Sequence, residues 1–537
     1  MLYPPFRPVS SASRRRFLKL VGRAGGTAAV LTTMKEMGLI SSAKAAKKPT
    51  LHSQQGAGTR VVILGAGIAG MTATYELSKA GYDCQILEAR DRAGGRCQTL
   101  RGGDVLIENS SSQTCSFDEG LYFNPGPARI PYHHTALLGY CKEFGVPLEV
   151  IVNENRAAYF QDDDAFGGQP VLNRRVVNDT RGYISELLAK AISQKSLDQE
   201  ISELDQARLM EFVRSFGSLG DDYRYTGSAR AGYTNGPAAG DRVGEPFEPL
   251  GLSALLDADF WNYKLHFGEG YTQAATMLQP VGGMDKIAQA FEQQVGDLIE
   301  YGAQVSQIRK TPTGVRIVYG AAENAGAATE KVLEADYAIC TFPLTVLAGV
   351  EADFSPTVQA AIAQGGSQYV NAVKVAFQAK RRFWEEDYNI YGGISWTERD
   401  ITQIWYPSTG FHSNKGIVVG AYIWDNEIGN AWGLLSPEER TAKAIESGSA
   451  LHPGYADEVS TAAGMTIAWE NVPYSEGGWA EWEDEQREAA YKVLLQPDGP
   501  IFLAGEHLSY LTGWQEGSVR SALLAVEGIA ARVAQAA

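Results

Sequence analysis

Cysteine is scarce in this sequence. The chain of 537 residues contains five cysteines, and these are widely separated: Cys84, Cys97, Cys115, Cys141 and Cys340. An odd number at such spacing matches neither a disulfide framework nor a metal cluster, in which the ligands lie close together in the sequence. The sequence therefore predicts no metal site.

Positive charge is also in short supply. Lys and Arg total 47 against 63 Asp and Glu, which gives a net charge of -16. Surfaces that bind nucleic acid or anionic membranes need concentrated positive charge, so we expect neither kind of partner. Because 44% of the residues are hydrophobic, the chain can bury a large core. A globular protein of two or three domains is predicted.

An uncharged apolar run that could span a membrane is missing near the N-terminus. The strongest candidate, residues 20–40, contains Arg23, Lys35 and Glu36. Each of these charges would cost about 3 kcal/mol at the centre of a bilayer. We therefore expect no membrane span.

The same region is typical of an export signal. "SRRRFLK", residues 13–19, matches a twin-arginine motif, and Ala43 and Ala45 suit a peptidase site. We expect residues 1–46 to direct export to the periplasm or the medium. The alternative is a retained amphipathic arm on a cytoplasmic protein.

The clearest local motif is a glycine-rich turn between a strand and a helix. Residues 61–64 are apolar, "GAGIAG" follows, a helix is predicted to end near Gly81, and a second strand ends at Glu88. Glycines permit close approach to a pyrophosphate at the helix N-terminus, and the acid can bind ribose hydroxyls. This βαβ unit predicts a dinucleotide site with these contacts: Gly65, Gly67, Ala69, Gly70 and Glu88.

The next residues resemble one family. "EARDRAGGR", residues 88–96, resembles the second fingerprint of FAD-dependent amine oxidases, in which Gly-Gly-Arg lies along the pyrophosphate. Segments at 277–291, 334–347 and 501–531 resemble the same family, so the resemblance spans most of the chain. It adds Ala89, Arg90, Gly95 and Arg96 to the residues expected at FAD.

This resemblance implies an α/β fold of the multidomain α+β kind. The FAD-binding domain would be a discontinuous Rossmann domain of the p-hydroxybenzoate hydroxylase-like type, built from residues 56–120, 272–350 and 490–537. A mixed-sheet substrate-binding domain would comprise 121–180 and 351–489, and a helical domain 181–271. Within that last range, residues 197–216 show helical periodicity with Gly217 at the C-terminal cap.

One arginine stands in the stiff stretch "FNPGPARIP", residues 123–131. A guanidinium can grip a carboxylate or phosphate with two parallel hydrogen bonds, but Arg129 could equally pair with an acid of the chain. The stretch resembles the loop of L-amino acid oxidases in which an arginine binds the substrate's α-carboxylate. Tyr422 matches a tyrosine that donates to the same carboxylate, and Ala128 would lie beside the cofactor.

The family resemblance assigns further roles. Lys374 would hold a water against the flavin, Gly513 would offer its carbonyl to the α-amine, and Trp479 and Trp514 would flank the substrate. The remaining residues expected at the cofactor are Val305, Trp469, Gly505 and Glu506. His266 matches a histidine of some L-amino acid oxidases only loosely.

The activity implied is oxidative deamination of free L-amino acids to 2-oxo acids, with ammonia and hydrogen peroxide as products and dioxygen as acceptor. A broad preference for bulky side chains is expected. FAD should be non-covalent, because Gly478 stands where covalent monoamine oxidases have a cysteine. An oxidase of arginine or lysine, a monoamine or polyamine oxidase and an electron-transfer flavoprotein remain alternatives. A homodimer or larger homo-oligomer is left open.

Overall fold

The computed structural model describes residues 49, 51–197, 201–258, 260–321 and 330–536. The predicted export signal, residues 1–46, lies outside the described residues. Within the described part, strands and helices alternate in a mixed α/β, multidomain architecture, which confirms the predicted fold class.

A five-stranded parallel sheet forms one half of the protein. Its strands, in spatial order, are Ile299–Glu300, Asp83–Leu87, Arg60–Leu64, Tyr337–Cys340 and Ile501–Leu503. Every pairing in it is parallel. The inner strands are mostly buried and apolar because helices cover the sheet, as expected for a doubly wound fold. Three distant stretches of sequence therefore build one sheet.

The first helix, Ile68–Lys79, begins directly after the glycine turn. It packs against the sheet and against the long C-terminal helix, Gln515–Ala536, through apolar side chains. A Cβ atom at Gly70 would lie 2.0 Å from the carbonyl oxygen of Gly65. Any side chain at this position would overlap the backbone of the turn, so only glycine lets the helix start this close to the strand.

A seven-stranded sheet forms the other half. Its spatial order is Gly464–Ala468, Val373–Ala379, Gly416–Ile423, Gln403–Tyr406, Gly393–Thr397, Tyr159–Gln161 and Val171–Leu172. The central strands are almost completely buried. They support the residues described below.

Smaller sheets complete the strand inventory. A three-stranded sheet comprises Ile130–Pro131, Met277–Pro280 and Leu148–Ile151, and a four-stranded sheet comprises Lys331–Ala335, Val315–Ala321, Ala303–Lys310 and Glu351–Ala352. Two hairpins pair Glu245–Pro246 with Tyr233–Asn235 and Val105–Glu108 with Ser111–Thr114. The three-stranded sheet matters most here because it carries the loop of Arg129.

The remaining helices of eight residues or more are Thr135–Glu143, Asn173–Ser193, Glu203–Gly217, Asp285–Val295, Pro356–Gly366, Asn426–Gly433 and Pro437–Leu451. Shorter ones are Leu252–Asp257, Leu344–Leu347, Phe383–Glu386, Tyr455–Glu458, Asp484–Gln486 and Lys492–Leu494. The helix predicted at 197–216 is observed as Glu203–Gly217. The cap predicted at Gly217 is wrong, because Gly217 is the last helical residue and Ser218, with a φ of 53°, is the C-cap. Phe212 and Phe216 of the apolar face are exposed. No helix in the described ranges is both long and apolar enough to cross a membrane.

Candidate active site

A cavity of about 540 Å³ runs from the glycine turn to the seven-stranded sheet. Cavities of roughly 300–1,000 Å³ are the usual size for cofactor and ligand sites. Most of the residues predicted from the sequence line this cavity: Gly65, Gly67, Ala69, Glu88, Ala89, Arg90, Gly95, Arg96, Val305, Lys374, Tyr422, Trp469, Trp479, Gly505, Glu506, Gly513 and Trp514.

One end of the cavity has the features of a nucleotide site. Glu88 directly follows the strand Asp83–Leu87, and its carboxylate accepts hydrogen bonds from the backbone N–H groups of Ala66, at 2.8 Å, and Arg90, at 2.9 Å. These bonds fix the acid beside the glycine turn and leave lone pairs free for hydroxyl donors. The arrangement fits an adenosine ribose with its pyrophosphate at the helix N-terminus.

Arg96 and Glu506 form the middle of the cavity wall. Arg96 donates to the Gly478 carbonyl at 2.6 Å and to the Glu506 carboxylate at 3.2 Å. Glu506 also accepts from the backbone N–H groups of Ala480 and Gly513. One buried carboxylate therefore joins the arginine of the second fingerprint to the C-terminal segment.

Gly126 brings two cavity walls into direct contact. A Cβ atom there would lie 2.0 Å from the Arg96 carbonyl oxygen and 3.4 Å from the Trp469 ring. The Trp469 indole N–H donates to the Pro125 carbonyl at 3.0 Å. The loop "NPGPAR" is thereby anchored against the cavity just before Arg129.

Lys374 and Tyr422 are direct partners across two antiparallel strands. Directly opposed residues project from the same face of a sheet, and the Lys374 ammonium lies 4.4 Å from the centre of the Tyr422 ring. The ammonium donates to the carbonyl oxygens of Gly126, at 2.5 Å, and Asn124, at 3.3 Å. The sheet register therefore brings together two side chains 48 residues apart.

Burial changes the acid–base chemistry of this pair. Desolvation, with repulsion from Arg129 in second place, lowers the pKa of Lys374 from 10.5 to about 7. Burial also raises the pKa of Tyr422, and Arg129 only partly opposes that shift. The phenol therefore stays protonated at neutral pH and can donate a hydrogen bond.

Arg129 is a buried cation without a carboxylate partner among the described residues. Its one hydrogen bond there goes from Nη1 to Asn153 Oδ1 at 2.8 Å. Its guanidinium carbon lies 4.4 Å from the ring centre of Trp405, 5.3 Å from Phe267 and 5.9 Å from Trp514. Burial lowers the pKa of Arg129 to about 10, so it is still charged at neutral pH.

Gly513, whose backbone is in the left-handed region, lies beside the cavity tryptophans Trp479 and Trp514. Gly513 has a φ of 78°, and a Cβ atom there would lie 3.3 Å from the Trp479 ring. The next residue, Trp514, packs edge-on against His134 and precedes the C-terminal helix, whose Gln515 and Ser518 also line the cavity. The positive N-terminal end of that helix therefore lies at the cavity.

Four predicted residues lie off this cavity. Gly70 is behind the glycine turn and Ala128 lines a neighbouring cavity. Arg129 lines neither cavity, but its guanidinium carbon lies 5.9 Å from the ring centre of Trp514, which lines the first. The structure does not bring His266 into the site: its side chain is 59% exposed and faces Glu269 at 3.4 Å. His266 precedes a single helical turn, and the next residue, Phe267, is the one that contacts Arg129.

Sequence reasoning missed three side chains of the site. Trp405, Asn153 and Phe267 all touch Arg129. None stands in a motif, and each arrives from a different stretch of the chain. Only the fold shows that they surround one guanidinium.

Known proteins are similar to this chain over most of its length. The family profile described as "Flavin containing amine oxidoreductase" matches residues 68–530. The Bacillus subtilis (strain 168) protein YobN, provisionally named an L-amino-acid oxidase, is 28% identical over 486 residues, which are 86% of this chain and 93% of YobN. The L-amino-acid oxidase BmooLAAO-I of Bothrops moojeni is 26% identical over 496 residues, 88% of this chain and 89% of its own.

Solved structures share the fold. Wild-type putrescine oxidase bound to putrescine superimposes with a TM-score of 0.57 at 18% identity and covers 88% of this chain and 99% of its own. Cyclohexylamine oxidase from Brevibacterium oxydans gives 0.57 at 17%, covering 89% and 99%. The profile match across nearly all the described chain, on a fold whose cavity begins at a glycine turn and an acid, leads to one assignment: this chain belongs to the flavin-containing amine oxidoreductase family.

Proposed function

We propose that this protein oxidises free L-amino acids to 2-oxo acids, with ammonia and hydrogen peroxide as products, using non-covalent FAD and dioxygen. The observation that carries the proposal is Arg129. A buried guanidinium without an acidic partner is costly unless an anion completes its environment. The α-carboxylate of an amino acid is such an anion, and a simple amine has none.

The surroundings of Arg129 favour an anion over a cation. Asn153 occupies only Nη1, and its own amide is held by a hydrogen bond to the Gln273 carbonyl at 2.8 Å. Most of the five N–H donors of the guanidinium therefore remain for a ligand. Lys374 adds positive charge and Tyr422 adds a phenolic donor nearby. A carboxylate here would receive charge-assisted bonds, which are about twice as strong as neutral ones.

The same electrostatics bear on the side chain that is accepted. Arg129 and protonated Lys374 disfavour a further positive charge, and the walls are aromatic. Large apolar side chains are therefore preferred in this proposal over those of arginine and lysine. The names of the two relatives support amino-acid oxidation.

The cavity residues fit FAD. When bound, the flavin accepts two electrons from the substrate and passes them to dioxygen. Glu88 would hold the adenosine ribose, Arg96 and Glu506 the middle of the dinucleotide, and Trp479, Trp514 and Gly513 would orient the substrate. The protein thereby supplies binding and alignment.

Non-covalent binding is supported at two positions. A Cβ atom at Gly478 would lie 2.8 Å from the Ala372 side chain, so a cysteine has no room there. Cys97 does line the cavity, but burial raises the pKa of its thiol to about 12. A protonated thiol is a poor nucleophile.

Export by the twin-arginine route is proposed from the sequence alone.

The test is peroxide release by the purified flavoprotein with the twenty L-amino acids and their decarboxylated amines. Arg129→Met, which keeps the volume and removes the charge, is compared with wild type. Loss of a charge-assisted carboxylate contact should lower kcat/KM for amino acids by about a hundredfold or more. Arg399→Met is the matched control, because Arg399 is a partly exposed arginine paired with Asp163.

Three outcomes are informative. Peroxide from amino acids, lost in Arg129→Met and kept in Arg399→Met, supports the proposal. Turnover of amines in wild type with no effect of Arg129→Met would make the protein an amine oxidase. Flavin reduction by amino acids with little peroxide would point to an acceptor other than dioxygen.

A further inference from the structure

We propose that Trp405 and Gln403 are positioning residues. They hold Arg129 and Tyr422 where both can bind the substrate's carboxylate. This inference rests on the proposed function. Neither residue stands in a motif, and neither is needed to form the nucleotide end of the cavity. Their role follows from what they touch.

Trp405 covers one side of the guanidinium. Its ring centre is 4.4 Å from the guanidinium carbon of Arg129, nearer than either of the other two contacting rings. It also packs edge-on against the Tyr422 ring, with centres 5.3 Å apart, and lies 5.9 Å from the Lys374 ammonium. One buried indole thus contacts all three polar groups proposed to face the carboxylate.

Trp405 also separates Arg129 from a second cavity. This cavity, of about 560 Å³, has Trp405, Ala128 and Lys374 among its lining residues, and Arg129 is not one of them. The indole keeps water in that cavity from the covered face of the guanidinium. A cation–π contact is stronger when it is desolvated, and so is the pairing of the cation with an anion.

Gln403 fixes the indole to the tyrosine backbone. Its side-chain oxygen accepts from the Trp405 indole N–H at 2.8 Å, and its amide N–H donates to the Tyr422 carbonyl at 3.2 Å. Gln403 is fully buried, so these two bonds determine which way its amide points. A single amide therefore couples the wall behind Arg129 to the strand that carries Tyr422.

The probe for this role is phenylpropanoate, which is phenylalanine without its amino group. Phenylpropanamide, with the same ring and no charge, is the neutral control. Binding of both to the holoenzyme is followed by the change they cause in flavin absorption. The ratio of the two dissociation constants isolates recognition of the charge from general damage to the site.

Three variants separate the contributions. Trp405→Leu removes the ring and should weaken phenylpropanoate binding by about tenfold to thirtyfold, with phenylpropanamide unchanged. Trp405→Phe keeps a ring over the guanidinium and should recover most of that loss. Gln403→Met keeps the volume but removes both hydrogen bonds, and it should weaken phenylpropanoate binding by about threefold to tenfold.

The matched control is Trp384→Leu. Trp384 is also a buried tryptophan over a buried arginine, with its ring 5.2 Å from Arg382, but that arginine is paired with Glu385. This variant should lose stability and leave the ratio unchanged. It therefore measures the cost of removing such a ring outside the site.

Equal weakening of both probes by Trp405→Leu, or an unchanged ratio, would overturn the inference and leave Trp405 a packing residue. The inference also fails if Trp405→Phe is as impaired as Trp405→Leu. If Trp405→Leu does not fold, Trp405→Phe and Gln403→Met decide, because an unchanged ratio in Gln403→Met refutes the coupling. If Arg129→Met is the only variant that changes the ratio of the two dissociation constants, the proposed function is preserved and only this inference is rejected.

Discussion

Lys374 makes carboxylate binding depend on pH. Its pKa falls from 10.5 to about 7 on burial, which corresponds to roughly 5 kcal/mol against the charged form. An anion held by Arg129 places an opposite charge near the ammonium and favours protonation. By linkage, protonated Lys374 must then favour binding of the anion.

The magnitude follows from Coulomb's law. We take a separation of about 6 Å between the ammonium and a bound carboxylate, the outer limit of the range in which an opposite charge shifts a pKa. At an effective dielectric constant of about 20, this gives roughly 3 kcal/mol, or about a hundredfold in affinity. Binding should be tightest below about pH 7 and weaken by up to tenfold per pH unit above it. Arg129, with a pKa of about 10, stays charged over this range.

The assay is titration of the holoenzyme with phenylpropanoate between about pH 6 and 9, followed by flavin absorption. Lys374→Met should bind phenylpropanoate more weakly than wild type at low pH, and its dissociation constant should not change with pH. Lys415→Met is the control: Lys415 is a more exposed lysine of the second cavity, paired with Asp118, and its loss should keep the wild-type slope. If the dissociation constant changes with pH in the same way in wild type and Lys374→Met, Lys374 is not the group that makes binding depend on pH.

Three further changes test other parts of the site. Glu506→Gln removes the charge that pairs with Arg96 and replaces the carboxylate that accepts from the Gly513 N–H with an amide. The flavin should therefore dissociate about tenfold more readily, measured as the flavin retained on gel filtration. Gly126→Ala places a Cβ atom 2.0 Å from the Arg96 carbonyl oxygen, so we expect a lower melting temperature and poor flavin loading, and normal values would show that the loop shifts freely. His266→Ala should change KM by less than about twofold because the side chain is exposed, whereas a large rise in KM would place His266 at the substrate.

The nucleotide end of the site could be predicted from sequence because its signal is local. Strand, glycine turn, helix and acid lie within 28 residues, and the backbone geometry follows from residue type. The structure places Glu88 against the turn through the Ala66 and Arg90 N–H groups. A short-range pattern is enough when every partner lies within one βαβ unit.

The substrate end depends on strand register, which the sequence does not reveal. Lys374 and Tyr422 meet because two antiparallel strands align them, and a slip of one residue would turn one of them to the other face. The same limit explains the loose match at His266, where the contact with Arg129 is made by the next residue, Phe267. Trp405 gave no signal because a tryptophan in an apolar strand is usually a core residue.

The discontinuous parallel sheet has a consequence for the order of events during synthesis. Its edge strand, Ile501–Leu503, pairs with Tyr337–Cys340, and Gln515 and Ser518 of the last helix close the cavity. The glycine turn therefore leaves the ribosome more than 400 residues before its nucleotide site has all its walls. Pairing between such distant segments is slow, and the unpaired strands stay exposed meanwhile. We therefore expect flavin to bind only after the C-terminal segment has been made.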